Sequence, residues 1–137
     1  MRLPPAETLM DQRLSQNVEL STLCAFYGGL LTQRQRMALQ LHCDEDFSLA
    51  EVAEHLGVSR QNVHDLIARS AQKLYRYEKT MGAIAQSRQT AVLLQRALYT
   101  LRNAKEIASA DPAVAIQQIT DAGALIAQAI THISGEE

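Results

Sequence analysis

The sequence predicts an all-α protein with two parts, a helix-turn-helix domain over residues 1–82 and a C-terminal antiparallel helical hairpin over residues 83–137. Three observations indicate this fold. Hydrophobic residues make up 47% of the 137, with only six glycines and three prolines, a composition that favours helices. Residues 48–66 carry two short helical patterns around a glycine. Residues 83–133 carry two long helical patterns separated by a short connection.

Prolines, glycines and a capping-box pattern mark where the first two predicted helices begin and end. Residues 1–6, which include two prolines, are expected to form a loose leader. A first helix is predicted from Glu7 or Asn17 to about Tyr27, where two glycines end it. Thr32 and Gln35 form a capping-box pattern for a second helix that runs to about His42. The apolar residues expected to supply its core are Leu30, Leu31, Met37, Leu39 and Leu41.

The stretch SLAEVAEHLGVSRQNVHDL, from Ser48 to Leu66, has the order of a helix-turn-helix motif. Apolar residues at helical spacing mark its first helix, and a second set begins after Gly57, where a left-handed backbone causes no Cβ clash. Ser48 and Glu51 form a capping box, and Ser59 is a suitable N-cap for the second helix. This second helix is expected to continue to about Met81. In such motifs it usually enters the major groove of DNA.

The C-terminal part predicts two helices that fold back on each other. Asp111 followed by Pro112 marks the start of the second helix, and the short connection before it favours an antiparallel hairpin. The stripe expected to face inward on the second helix is Ile116, Ile119, Ile126, Ile130 and Ile133. The facing stripe on the first helix is Ile84, Ala91, Leu94, Leu98, Leu101 and Ala108, and a further stripe is Leu93, Ala97, Ala104 and Ile107.

One hairpin cannot bury all three stripes, so we expect the spare face to pack on the motif domain or on another subunit. We hypothesise a homodimer, with packing inside the chain as the alternative.

Several function classes are not supported by the composition. No segment approaches the ~20 apolar residues of a membrane span, and the N-terminus has no signal-peptide core, so we expect a cytoplasmic protein without membrane insertion. Cys24 and Cys43 are interpreted as reduced thiols. The run from His42 to Asp46 lacks the paired spacing of a zinc module. Without a phosphate loop or nucleophile elbow, we predict no catalytic residue, metal or cofactor.

Charge concentrates on the second motif helix. The formal net charge of the chain is −2, whereas residues 59–79 carry five basic and two acidic side chains and are therefore at +3. A basic helix on an acidic body can bind phosphate with salt-sensitive affinity. The alternative for the same face is a solvated polar surface or a protein-binding surface, which the acidic Asp65 would suit better.

The candidate DNA contacts lie on this helix and at the start of the second predicted helix. Arg60 could bind guanine, and Gln61 or Asn62 could bind adenine. The full predicted DNA-binding set is Ser59, Arg60, Gln61, Asn62, His64, Arg69, Lys73 and Arg76. Further phosphate contacts are predicted at Gln33, Arg34 and Arg36.

Several segments in order resemble the YlxM family. They are YGGLLTQRQ at 27–35, DFSLAEVA at 46–53, GVSRQNV at 57–63 and the helix end at 75–81. The resemblance covers residues 17–82. It implies a fold similar to region 4 of sigma-70-type factors, as a separate bacterial protein. This chain departs from the family in two respects: it carries His64 where family members often have an aromatic residue, and its long Ala/Gln-rich extension after Gly82 is less typical.

The resemblance also implies functions. The genes of the family lie beside those for the signal recognition particle GTPase and its receptor, so it implies a regulatory or accessory role in protein targeting. Two hypotheses therefore stay open, and a third, a purely structural oligomer built through the C-terminal hairpin, is compatible with either. The first is a non-enzymatic DNA-binding regulator whose partner is duplex DNA. The second is an accessory factor that binds the signal recognition particle GTPase or its RNA and does not bind DNA.

Overall fold

The computed structural model describes residues 6–135, and over that range every regular element is helical. The prediction of an all-α fold is therefore confirmed. The predicted leader lies outside the described residues apart from Ala6, the first residue of α1. The helices are α1 Ala6–Tyr27, α2 Gln33–Cys43, α3 Leu49–Leu56, α4 Arg60–Met81, α5 Ala83–Ile107 and α6 Pro112–Ser134, with a 3₁₀ turn at Gly28–Leu30 between α1 and α2.

The chain divides into two compact units, Met1–Gly82 and Ala83–Glu137. Unit 1 contains α1 to α4, and unit 2 contains α5 and α6. The last residue of unit 1 is Gly82, whose φ of 63° lies in the left-handed region and ends α4. Its backbone N–H donates to the carbonyl oxygen of Glu78 at 2.8 Å.

Unit 1 packs around large apolar side chains. Leu39, Leu74, Val52 and Val63 are among its fully buried residues. Part of the core joins α2, α3 and α4 through Ala38, Leu41, Val52, Ala53 and Val63. The small side chain of Ala53 is 6% exposed, as expected where two helices of the motif cross closely. The expectation that Leu30 belongs to this core is wrong, because the 3₁₀ turn leaves it 58% exposed while Leu31 points inward.

The predicted starts of α2, α3 and α4 are confirmed. Thr32 and Gln35 exchange both capping-box hydrogen bonds, as do Ser48 and Glu51. The Ser59 hydroxyl accepts from the backbone N–H of Asn62 at 3.1 Å. These caps satisfy N–H groups that have no partner within a helix, so they fix where α2, α3 and α4 begin.

The turn of the motif has the conformation that its glycine predicts. Gly57 has φ 67° and ψ 36°, which is left-handed. The N–H of Val58 donates to Ala53 at 3.0 Å, and the N–H of Gly57 donates to Glu54 at 3.3 Å. This pair of bonds is a Schellman motif, which closes α3 and turns the chain into α4.

Unit 2 is an antiparallel helical hairpin with a core of small side chains. Asp111 caps α6 by accepting from the N–H of Val114 at 3.2 Å. Gln86, near the start of α5, donates to the carbonyl oxygen of His132, near the end of α6. The residues that α5 and α6 bury in unit 2 are mostly Thr90, Leu93, Ala97 and Ala104 against Ala115, Ala122 and Ala129.

The predicted facing stripes of the hairpin are wrong apart from Ile84, which is buried at 5% exposure. The inward stripe of α5 is the one expected to be spare, and the isoleucine stripe of α6 points outward. Alanines permit the close approach of α5 and α6, which displaces the bulkier side chains to the outside. The misassigned residues that are exposed are Leu94, Leu98, Leu101, Ile116, Ile119, Ile126, Ile130 and Ile133.

The expectation that no segment approaches the length of a membrane span is wrong for helix α6. Its 23 residues include an 18-residue window of mean hydropathy 1.2, so by length and composition α6 could cross a membrane. Scattered alanines and isoleucines raise the average, although Gln, Thr and Asp side chains interrupt every apolar run. One such helix is weak support for a membrane span, because a helix of a soluble protein can have the same composition.

Candidate nucleic-acid interface

The start of α4 presents a polar face because its apolar side chains anchor the opposite face. Val63, Ser70 and Leu74 are buried along α4. The buried Ser70 hydroxyl donates to the carbonyl oxygen of Leu66 at 2.6 Å, which satisfies it inside the core. Most of the predicted set on α4 is exposed, and Lys73 is half-buried. The exposed members are Ser59, Arg60, Gln61, Asn62, His64, Arg69 and Arg76.

Helical spacing divides this face into two edges. With 100° per residue, Arg60 and His64 lie on one edge. Asn62, Asp65 and Arg69 lie on the other edge, about 150° around the helix from Arg60. The first turns of α4 can therefore touch a ligand on both sides at once.

One edge of α4 borders a groove that continues onto α2. Asn62, Asp65 and Arg69 line it from α4, and Arg34 lines it from the first turn of α2. Its volume is about 370 Å³. The structure thus brings a predicted phosphate contact of α2 together with two predicted contacts of α4.

The other edge borders a larger groove of about 600 Å³, lined by Arg60 and Arg13 together with the start of α3. Arg13 is exposed on α1. Sequence reasoning missed this residue, because no local pattern indicates that α1 passes the start of α4. Arginines therefore flank the exposed start of α4 on both sides.

Asp65, on the same edge as Asn62 and Arg69, contacts two neighbouring side chains of α4. The Gln61 side chain donates to its carboxylate at 3.1 Å. The nearest ring nitrogen of His64 lies 3.6 Å from the same carboxylate oxygen. Asp65 is half exposed, so these contacts are weak and can be exchanged for contacts with a ligand. Its negative charge opposes phosphate.

Three further predicted residues, Ser59, Gln33 and Arg36, are not among those that line the two grooves. The Ser59 hydroxyl is used as the cap of α4, so its free contact capacity is reduced. Gln33 is exposed at the first position of α2. Arg36 is half-buried, and a Cβ built on Gly28 would lie 3.5 Å from its Cδ. The stem of Arg36 therefore packs on the 3₁₀ turn that follows α1.

The acidic connection after α2 does not form a metal cluster. Over residues 6–135, no three His, Cys, Asp or Glu side chains converge as ligands. His42 Nδ1 lies 2.8 Å from the carbonyl oxygen of Phe47 and so holds the loop. Burial, followed by the charge of Asp44, raises the pKa of the Cys43 thiol to about 11. Cys43 is therefore a protonated, weakly nucleophilic thiol at neutral pH.

Comparison with known proteins gives a consistent result. A family described as "Putative helix-turn-helix protein, YlxM / p13 like" (UPF0122) matches residues 14–111. A UPF0122 protein of Clostridium botulinum (strain Alaska E43 / Type E3) is 35% identical over 98 residues, 72% of this chain and 90% of the relative. One of Acetivibrio thermocellus is 43% identical over 65% of this chain and 74% of the relative. One of Latilactobacillus sakei subsp. sakei (strain 23K) is 48% identical over 47% and 58%, respectively. The predicted family is thereby confirmed, and the chain belongs to the YlxM / p13-like UPF0122 family of helix-turn-helix proteins.

Proposed function

We propose that this protein is a non-enzymatic DNA-binding regulator of the cytoplasm that places the first turns of α4 in the major groove. One observation carries the proposal. The exposed start of α4 is flanked by an Arg13–Arg60 groove on one side and an Arg34–Arg69 groove on the other. The major groove is about 12 Å wide and is bordered by a phosphate backbone on each side. A helix between two sets of arginines fits that arrangement.

Base reading would fall to the first turn of α4. Gln61 has the amide geometry that pairs with adenine, and Arg60 has the fork that pairs with guanine. Gln61 would exchange its exposed bond to Asp65 for a base contact, a small cost in water. Asp65 would then face cytosine N4 or solvent rather than phosphate.

The remaining cations would bind phosphates. Arg76 lies 16 residues after Arg60, about 24 Å along the helix at 1.5 Å per residue, beyond the width of the groove. Arg76 and Lys73 therefore suit the DNA backbone. Arg13 and Arg34, on α1 and α2, would hold the strands on the two sides of α4.

The test is fluorescence anisotropy of the full chain with a random duplex pool, titrated with salt. We expect binding that weakens steeply with salt, because each phosphate contact contributes about −0.9 to the log–log slope. Arg60→Ala should weaken binding to selected sites by about 5-fold to 150-fold. Arg13→Ala and Arg34→Ala should each reduce the salt slope by about 1.

The matched control is Arg96→Ala, which removes the same charge from an exposed position of unit 2. It should leave the affinity within about 2-fold of the unsubstituted protein. If Arg96→Ala and Arg60→Ala lowered the affinity for DNA equally, the binding would depend on net charge alone and not on the start of α4. No binding at low salt would contradict the proposal.

A second candidate is an accessory factor of the signal recognition particle that contacts its GTPase or RNA. The observations that favour it are the formal net charge of −2 and the exposed carboxylate of Asp65 beside Gln61. Both oppose binding to duplex DNA and, for the same reason, to RNA, whereas they suit a basic protein surface, so they favour the GTPase over the RNA as the contact. This function predicts a complex with the GTPase or its RNA that survives Gln61→Ala and Asn62→Ala, in a protein that does not bind duplex DNA.

A further inference from the structure

Each helix of unit 2 carries two apolar seams with heptad spacing, offset by one residue. The inward seams contain the residues that form the hairpin core, which are Thr90, Leu93, Ala97 and Ala104 on α5 and Ala115, Ala122 and Ala129 on α6. The outward seam of α6 repeats at intervals of three and four residues and consists of Ile116, Ile119, Gly123, Ile126, Ile130 and Ile133. The outward seam of α5 is Ala91, Leu94, Leu98 and Leu101, after which the exposed Lys105 takes the next position of the register and Ala108 the last. Such spacing is the pattern of helices that pack in bundles.

The two outward seams lie on the same side of the hairpin. An offset of one residue rotates each outward seam by about 100° from the inward seam of its helix. Because α5 and α6 are antiparallel and face each other, these two rotations point in the same direction. Unit 2 therefore presents an apolar face made by both helices, which Lys105 interrupts near the end of α5.

The inward side of the hairpin is the poorer of the two in apolar side chains. Within it, Thr90 Oγ1 and Gln118 Oε1 are buried without a hydrogen-bond partner. The outward face instead carries Ile130 and Ile133 at 59% and 69% exposure. A hairpin in isolation would gain more by burying the isoleucines, so this orientation favours an assembly in which both sides are covered.

We propose that the outward face of unit 2 binds the same face of a second copy of this chain to form a four-helix bundle. Its eight isoleucines and leucines together expose on the order of 800 Å², similar to the ~800 Å² per partner of a stable interface. A two-fold axis makes an apolar face complementary to itself. Gly123 has no side chain and is exposed, and a Cβ there would meet no atom within 4 Å, so a side chain of the partner copy would have space to approach α6 at this point.

The chemistry of α6 favours a protein partner over lipid. A membrane-spanning helix is surrounded by hydrocarbon and must be apolar on all sides. Beside its isoleucine seam, α6 carries Gln117 and Asp121, joined by a 3.0 Å hydrogen bond on an exposed edge. One apolar face with a polar remainder is the pattern of a bundle helix. Helix α6 also lies beyond the family match, which ends at residue 111.

The test is sedimentation equilibrium of the full chain without DNA, up to about 100 µM, where an interface of micromolar Kd is formed. We expect twice the mass of one chain. Ile130→Glu should weaken dimerisation by about 30-fold or more, because it places a charge in the interface. The control Val92→Glu makes a similar change at a residue that is 53% exposed on another side of α5, and the dimer should persist.

Circular dichroism checks that each variant is helical. If Ile130→Glu unfolds, Ile116→Glu replaces it, because Ile116 is 65% exposed near the other end of α6. A monomer at all concentrations would overturn the proposal, whether it stays in solution or floats with phosphatidylglycerol vesicles. A dimer that tolerates both seam variants, or that Val92→Glu disrupts equally, would also overturn it.

Discussion

The two units of this protein place their apolar side chains by opposite arrangements. Unit 1 buries bulky residues such as Leu39 and Leu74, whereas the residues unit 2 buries completely include Ala122 and Ala129. Several helices surround the centre of unit 1, so a wide apolar stripe on each can find a neighbour. Two helices meet along a single line, and small side chains allow the closest contact there. An apolar stripe in the sequence therefore identifies a contact surface without identifying the helix that packs on it.

The largest difference in the free energy of unfolding is expected between substitution of a buried leucine of unit 1 and substitution of an exposed one. Leu39→Ala should lower the free energy of unfolding of unit 1 by about 2–5 kcal/mol, because the transfer term and the cavity add. Leu39 is 1% exposed. Urea denaturation followed by residue-resolved hydrogen exchange measures the change in each unit separately.

The matched control is Leu30→Ala, the same substitution at a residue that is 58% exposed. Its cost should stay within about 0.5 kcal/mol, as for most surface positions. A cost as large as that of Leu39→Ala would mean that Leu30 is buried in solution and would restore the expectation from the sequence.

The next largest effect is expected at the buried alanines of α6 that pack against α5, which are Ala115, Ala122 and Ala129. Ala122→Leu should destabilise the hairpin by about 1–3 kcal/mol, because the added atoms overpack the contact with α5. Ala122 is 0% exposed, whereas Ala124 on the same helix is exposed. Ala124→Leu is therefore the control and should be close to neutral. The measurement is thermal unfolding followed by circular dichroism. A higher melting temperature for Ala122→Leu would contradict the close packing of Ala122 against α5.

Local features of the fold could be predicted from the sequence in both units. The caps at Thr32, Ser48, Ser59 and Asp111 follow from short-range backbone chemistry, and each is present. Gly57 has the left-handed conformation that the motif requires. These features depend on residues within one helical turn, so no tertiary information is needed to recognise them.

Tertiary features could not be predicted in the same way. The outward isoleucines of α6 have the same period as a core stripe, and only the facing helix decides between two seams one residue apart. Arg13 reaches the start of α4 from a distant part of the sequence. For the candidate site, the exposed residues of α4 could be predicted, but the division into two arginine-lined grooves required the fold.

A smaller effect separates backbone strain from packing at two glycines. Gly57→Ala should lower the stability of unit 1 by about 1–2 kcal/mol, because an L-residue disfavours the left-handed region. A Cβ at Gly57 would meet nothing within 4 Å, and the same holds at Gly29, which has no left-handed φ. Gly29→Ala is therefore a control that differs only in backbone conformation. Equal costs in urea denaturation would attribute the loss at Gly57 to something other than φ.

The smallest effects compare one cap in each unit. Ser48→Ala and Asp111→Ala should each cost about 1 kcal/mol, measured by urea denaturation with residue-resolved hydrogen exchange, while Ser48→Asp should retain most of the cap. Ser48 shares two hydrogen bonds with Glu51, and Asp111 accepts one bond from Val114. Caps depend on the local backbone, so their costs should be similar in the two units, unlike those of buried side chains. A Ser48→Ala cost several times that of Asp111→Ala would show that packing in unit 1 amplifies local changes, and the difference between the units would then extend beyond their cores.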